Sequence, residues 1–207
     1  MTGDDEIGVR LLDTAVGLMG RNGVRGTLRV RGESMTPTLR PGDLVAVDFS
    51  QVPLRRGDIL LFRQVDYLTV HRLLGTARLP DGSACLRTRG DGRHRLDPPL
   101  DRSRVHGRVF AVQGKGDWRD MRSRGARLYA RSMALHDLAW AAVGVLAARL
   151  DRLAGRGGSQ RSLETAAAWV DQKLLGLLHR LLFSRVHPRI DRPEGLEGIP
   201  NEGPHCP

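Results

Sequence analysis

Gly32-Glu33-Ser34-Met35-Thr36-Pro37-Thr38-Leu39 separates two short strand-like runs, and the fold is read outward from this turn. Before it, residues 27–31 alternate, with Leu28 and Val30 on one side. After it, 43–48 forms a compact apolar run containing Leu44, Val45 and Val47. Similar runs recur at 58–63, 67–74, 84–88 and 105–112. Gly, Pro and Asp cluster between them, as in Pro41-Gly42-Asp43 and Arg56-Gly57-Asp58. Many short strands with this punctuation predict a β-barrel or coiled sheet rather than βαβ units.

The turn also carries chemistry. Gly32 and Pro37 bracket a bend that would expose the Ser34 hydroxyl and leave its backbone N–H free to face an oxyanion. A serine that merely caps a turn looks the same locally. A nucleophilic serine needs a base within hydrogen-bond reach, and histidine is suited to the task because it titrates near neutral pH. His71 lies in Tyr67-Leu68-Thr69-Val70-His71-Arg72-Leu73-Leu74. Alternation there puts Leu68, Val70 and Arg72 on one face and Thr69, His71 and Leu73 on the other. A base histidine also needs an acceptor on its second ring nitrogen. The segment Arg89-Gly90-Asp91-Gly92-Arg93-His94-Arg95-Leu96-Asp97 offers Asp91 and Asp97, and both are candidates. The spacing of His94 with these aspartates matches no zinc or calcium pattern, so no metal or other cofactor is expected.

Bulk properties set outer bounds. A chain of 207 residues, 40% apolar, holds one domain of about 100–150 residues with an appendage. Aromatics are only 4%, which predicts a core built mainly from Leu, Val and Ala. The net charge of +10 attracts anionic surfaces, and an acidic membrane surface is a candidate partner. The basic residues are almost all Arg and are not interleaved with aromatics. No nucleic-acid motif is present, so no specific nucleic acid is expected. Cys85 and Cys206 make no disulfide framework; Cys85 reads as a small buried hydrophobe.

The flanks read as helical. Residues 4–20 form an amphipathic pattern with Asp4, Asp5 and Glu6 at the positive end of the dipole. A second helical pattern runs over 132–153 and a third from Ser162 to about 185, separated by a Gly-rich linker. The expected division is an N-terminal helix and turn at 1–25, a β-rich catalytic domain at 26–127, a helical hairpin at 128–186 and a disordered tail at 187–207. No segment reads as a cleavable signal peptide or as a transmembrane span, so the expected location is cytoplasmic or membrane-associated.

Four segments, taken in order, resemble the serine proteases that include type I signal peptidases and the self-cleaving SOS repressors. They are Gly32 to Leu39; Pro41-Gly42-Asp43; Arg56-Gly57-Asp58 with Val70-His71-Arg72; and Arg89-Gly90-Asp91 with Val105-His106-Gly107-Arg108-Val109. The resemblance covers about half of the chain. Many bacterial members use a lysine base. His71 is similar instead to the Ser-His type found in the endoplasmic reticulum and archaea, and the only lysines, Lys115 and Lys173, lie outside the motifs. The resemblance implies a coiled β-sheet catalytic fold, an acyl-enzyme on Ser34, His71 as base, Asp97 as its orienting partner and Asp91 in a structural or supporting role. It implies a peptide or precursor-protein substrate from which a leader or signal peptide is removed. The expected departures from the family are the want of an N-terminal anchor segment, Gly32 where a serine is common, and a helical C-terminal half. The competing readings are a self-cleaving regulator and a non-catalytic binding module on the same fold.

Overall fold

The computed structural model describes residues 24–50, 53–64, 67–93, 95–114, 116–136, 185 and 187–196. Among these, an antiparallel sheet dominates. Its strands are β1 (Arg25–Arg29), β2 (Leu44–Asp48), β3 (Ile59–Gln64), β4 (Tyr67–Arg78), β5 (Ala84–Arg89), β6 (Val105–Gly114), β7 (Asp117–Asp120) and β8 (Arg189–Ile190). They lie in the order β1-β2-β6-β3-β4-β5, with β7 on β6 and β8 on β7. A helix, α1, spans 124–136.

Side chains from the strands gather in three apolar clusters, two of which flank the strands that carry the site. One gathers Val45, Val47, Ile59, Leu61, Val109 and Val112 with Met35 and Leu39 from the turn after β1. The other packs Leu60 and Phe62 of β3 with Leu73 of β4 and Leu86 of β5. Each such side chain, fully buried, contributes about 1.5–3 kcal/mol of apolar transfer. The aromatic contribution exceeds what the composition suggests: Phe49, Phe62, Phe110 and Trp118 are all buried. A few aromatics supply much of a core because each buries a large area. Cys85 is a free, buried thiol.

Close backbone packing fixes the strand spacing. A Cβ on Gly107 of β6 would lie 2.7 Å from the Asp48 carbonyl oxygen, so the β2–β6 approach needs glycine there. Gly57, at φ +93, turns the chain into β3 and lets Ala130 of α1 sit against it; a Cβ would meet that residue at 2.8 Å.

Two expectations are corrected, and one strand is added. The tail expected to be disordered from 187 is structured through 196: β8 pairs with β7, and His187 and Leu196 are buried. Leu196 packs with Leu44, Phe110 and Trp118, a long-range contact that the Pro/Gly-rich local composition does not encode. Helix α1 begins at 124, inside the span assigned to the β domain and ahead of the helical pattern at 132. Ser123 starts it, its Oγ accepting from the Ala126 N–H at 3.0 Å. β7 was not anticipated. The N-terminal helix and the body of the helical hairpin lie outside the described residues.

Candidate active site

Strand alternation on β4 separates two neighbouring side chains. His71 shares the face of Thr69 and Leu73, opposite Leu60 of β3, and its ring meets Phe62 edge-on at 6.0 Å between centroids. Arg72 points the other way. Both are almost wholly buried.

The turn after β1 brings a hydroxyl to His71. Met35 and Leu39 are buried in the core, and Glu33 stays exposed, so Ser34 is held at the boundary between them. The turn is closed by Thr36 N–H to the Glu33 carbonyl at 2.9 Å and Leu39 N–H to the Met35 carbonyl at 2.9 Å, across a cis Thr36–Pro37 bond. Ser34 Oγ lies 2.9 Å from His71 Nε2. On the far side of the ring, His71 Nδ1 lies 2.7 Å from Asp97 Oδ2.

The protonation pattern follows from Asp97. Burial pushes its carboxyl upward, but the His71 hydrogen bond and charge, the Thr88 hydroxyl and the Arg93 charge outweigh it and hold the group below its ordinary value. An ionised carboxylate only accepts, so Nδ1 carries the ring proton and donates to Asp97. In the neutral ring Nε2 is then the acceptor for the Ser34 hydroxyl. Thr88 Oγ1 donates to the same Asp97 oxygen at 2.7 Å, and the Asp97 N–H donates to the Thr88 carbonyl at 3.0 Å. Asp97 is therefore fixed from both its backbone and its side chain.

Asp91 stands elsewhere. Arg72 Nε donates to its Oδ1 at 2.8 Å and Arg72 Nη2 to its Oδ2 at 2.6 Å, a bidentate pair. The Thr38 hydroxyl also donates to Asp91, and Arg72 Nη1 donates to the Gly57 carbonyl at 2.9 Å. Burial favours the neutral acid. The Arg72 charge and hydrogen bonds, with Thr38 and Arg89, prevail and keep the Asp91 carboxyl below its ordinary value. Asp91 does not touch the His71 ring. Of the two aspartates left open by the sequence, the structure brings Asp97 to the histidine and gives Asp91 to the arginine.

Gly90 sits between these groups. A Cβ there would run into the Ser34 carbonyl oxygen and lie 2.9 Å from His71 Nε2. The Gly92 N–H donates to that same Ser34 carbonyl at 2.8 Å. Among the described residues the Ser34 N–H donates to no backbone carbonyl, so it can serve a developing oxyanion.

Sequence reasoning did not single out Thr38, Arg72, Thr88 or Gly90. An Arg in an apolar strand is a usable warning that a buried partner exists, since buried charges are paired. The two threonines gave no such signal. His94 lies outside the described residues. Among the described residues no group of three or more His, Cys, Asp or Glu side chains could hold a metal ion. No helix among them is long and apolar enough to cross a membrane.

A cavity of about 300 Å³ opens beside Ser34 and His71. Leu28, Val30, Met35, Val45, Leu61, Leu68 and Val70 form an apolar lining, and Arg29, Arg31, Glu33 and Arg93 bring charge to it.

The described residues form a mainly antiparallel β domain that carries this serine–histidine–aspartate line. Residues 10–79 match the family model described as Peptidase S24-like, a span that includes Ser34 and His71. Over that span, about a third of the chain, the sequence is similar to S24-like serine peptidases. A comparison with curated proteins finds no match.

Proposed function

We propose that this protein is a serine endopeptidase that removes a leader or signal peptide from a precursor by a Ser-His mechanism. The observation that carries the reading is the continuous chain from Ser34 Oγ through the His71 ring to Asp97, at 2.9 and 2.7 Å. His71 Nε2 takes the Ser34 proton as Oγ attacks the scissile carbonyl carbon. The carbonyl oxygen becomes an oxyanion, to which the Ser34 N–H donates. His71 then gives its Nε2 proton to the departing amine, leaving an ester on Ser34. Water, deprotonated by the same nitrogen, attacks that ester and restores the serine. Asp97 keeps the proton on Nδ1 and stabilises the imidazolium without itself accepting the proton.

The sheet suggests how a peptide would lie. Among the described residues β1 pairs only with β2, and β5 pairs with β4 only from Arg72 onward. Two open backbone edges, β1 and the first half of β4, therefore flank the cavity. An extended peptide hydrogen-bonds to such edges.

The test is mass spectrometry of precursor peptides incubated with the native protein and with Ser34→Ala. The native protein is expected to cut at one bond, and Ser34→Ala to lose at least about a thousandfold in turnover with an unchanged circular dichroism spectrum. Retained cleavage by Ser34→Ala removes the assignment. Cleavage of the chain itself, with every added peptide intact, favours the self-cleaving regulator.

A further inference from the structure

The cavity beside Ser34 has an uneven charge distribution. Its floor is apolar, but three arginines line it, and Glu33 is the lone acidic lining residue among those described. Arg31 and Arg93 are exposed, and neither forms an ion pair among the described residues. Arg93 is close enough to Asp97 for its charge to act on that carboxyl. Arg29 is half-buried: its Nη1 donates to the Gly42 carbonyl at 2.9 Å, and its Nε is buried without a partner.

These charges matter because of where they stand. A peptide that passes Ser34 and puts a side chain among Leu28, Val30, Leu61 and Leu68 would run beside Arg31 and Arg93, the exposed arginines at the cavity's rim. Low-dielectric walls beneath the rim strengthen its field relative to an open surface. A guanidinium offers a planar pair of donors matched to a carboxylate. Lysine-rich peptides would instead bring like charge to Arg31 and Arg93.

We propose that Arg31 and Arg93 are specificity-determining residues that select peptides carrying acidic side chains within a few residues of an apolar one. The inference rests on the peptidase reading for its site, but it concerns recognition and is read by binding. The apolar residue enters the lined floor, and the flanking carboxylates pair with the two exposed guanidiniums.

The experiment measures fluorescence anisotropy of labelled peptides on Ser34→Ala, which holds substrate without turnover. Three peptides share one apolar core and differ only in Glu, Gln or Lys flanks. The Glu-flanked peptide should bind on the order of tenfold more tightly than the Lys-flanked one, with Gln between, and the gap should narrow with added salt. Adding Arg31→Glu and Arg93→Glu should abolish or invert the order. Adding Arg87→Glu and Arg104→Glu, exposed positions outside the cavity with the same change in net charge, should preserve it. Equal binding of the three peptides overturns the proposal. So does an order that responds equally to both pairs of substitutions, because the whole-molecule charge would then be its source. Cleavage by the native protein is scored separately. Cleavage without charge preference removes this inference and leaves the peptidase reading standing. An acidic preference in binding, lost with Arg31 and Arg93 but accompanied by no cleavage, does the reverse.

Discussion

The two faces of β4 use the same three segments for opposite purposes. From one face, His71 joins Ser34 and Asp97 in a half-open hydrogen-bonded line that borders a cavity, whose lining also draws Leu68 and Val70 from the opposite face. On the other, Thr38, Arg72 and Asp91 form a closed, buried cluster. Each trio takes one residue from the turn after β1, one from β4 and one from the segment after β5. The difference lies in what is satisfied. The Arg72 guanidinium is bonded to Asp91, Thr38 and Gly57, so it has little left to offer. In the His71 line, Ser34 lines the cavity and its N–H has no backbone acceptor among the described residues. One cluster can fix the relative positions of three segments, and the other can use that fixed geometry for chemistry. Register on β4 links them, because a one-residue slip would exchange the two faces.

Substitutions on the two faces should therefore fail differently. On the Ser34 face, His71→Gln should lower turnover by at least about a thousandfold while leaving urea unfolding close to native. A comparable loss of stability would mean that the two faces are not separable.

On the other face, Asp91→Ala leaves a buried guanidinium without its counter-charge. It should cost about 3–5 kcal/mol in urea unfolding, with activity falling only as the folded fraction falls. The same carboxylate sets an acid limit. Asp91 and Asp97 are both held below their ordinary value of 3.8, so unfolding of the chain requires neither to gain a proton above that value. Their stabilisation is complete above pH 3.8 and is lost as pH falls through the lower folded values. Urea titrations below pH 4 should show native stability declining more steeply than that of Asp91→Ala. Parallel curves would remove Asp91 from the acid response.

The smallest effect is expected at Thr88→Val. Asp97 keeps its bond to His71 and loses one donor, so kcat should drop by no more than about tenfold with KM unchanged. A loss as deep as that of His71→Gln would make Thr88 indispensable to the line rather than a support for Asp97.

Much of this arrangement was visible in the sequence where local patterning determines it. Strands β1 to β6 follow apolar alternation between Gly/Pro/Asp turns, and Ser34 and His71 stood out because their types and surroundings suit the chemistry. Long-range pairing was not visible. Arg72 and Asp91 lie 19 residues apart, and nothing local says that one carboxylate turns to Arg72 and the next to His71. The resemblance to known proteases, rather than the residue pattern, favoured Asp97. β7 is short and mostly charged (Asp117-Trp118-Arg119-Asp120), and β8 is two residues long, so neither has enough length to show a period. The start of α1 was hidden because Arg122, Arg124 and Arg127 make its first turns look like a solvated loop, while its cap, Ser123, has no Glu or Gln three residues on.

The most direct measurement is the intact mass of the protein after acid quench with an activated peptide ester, followed by mapping of the modified fragment. An added acyl group is expected on Ser34 in the native protein and none in Ser34→Ala. An acyl group on another residue, or one that forms equally in Ser34→Ala, would contradict it.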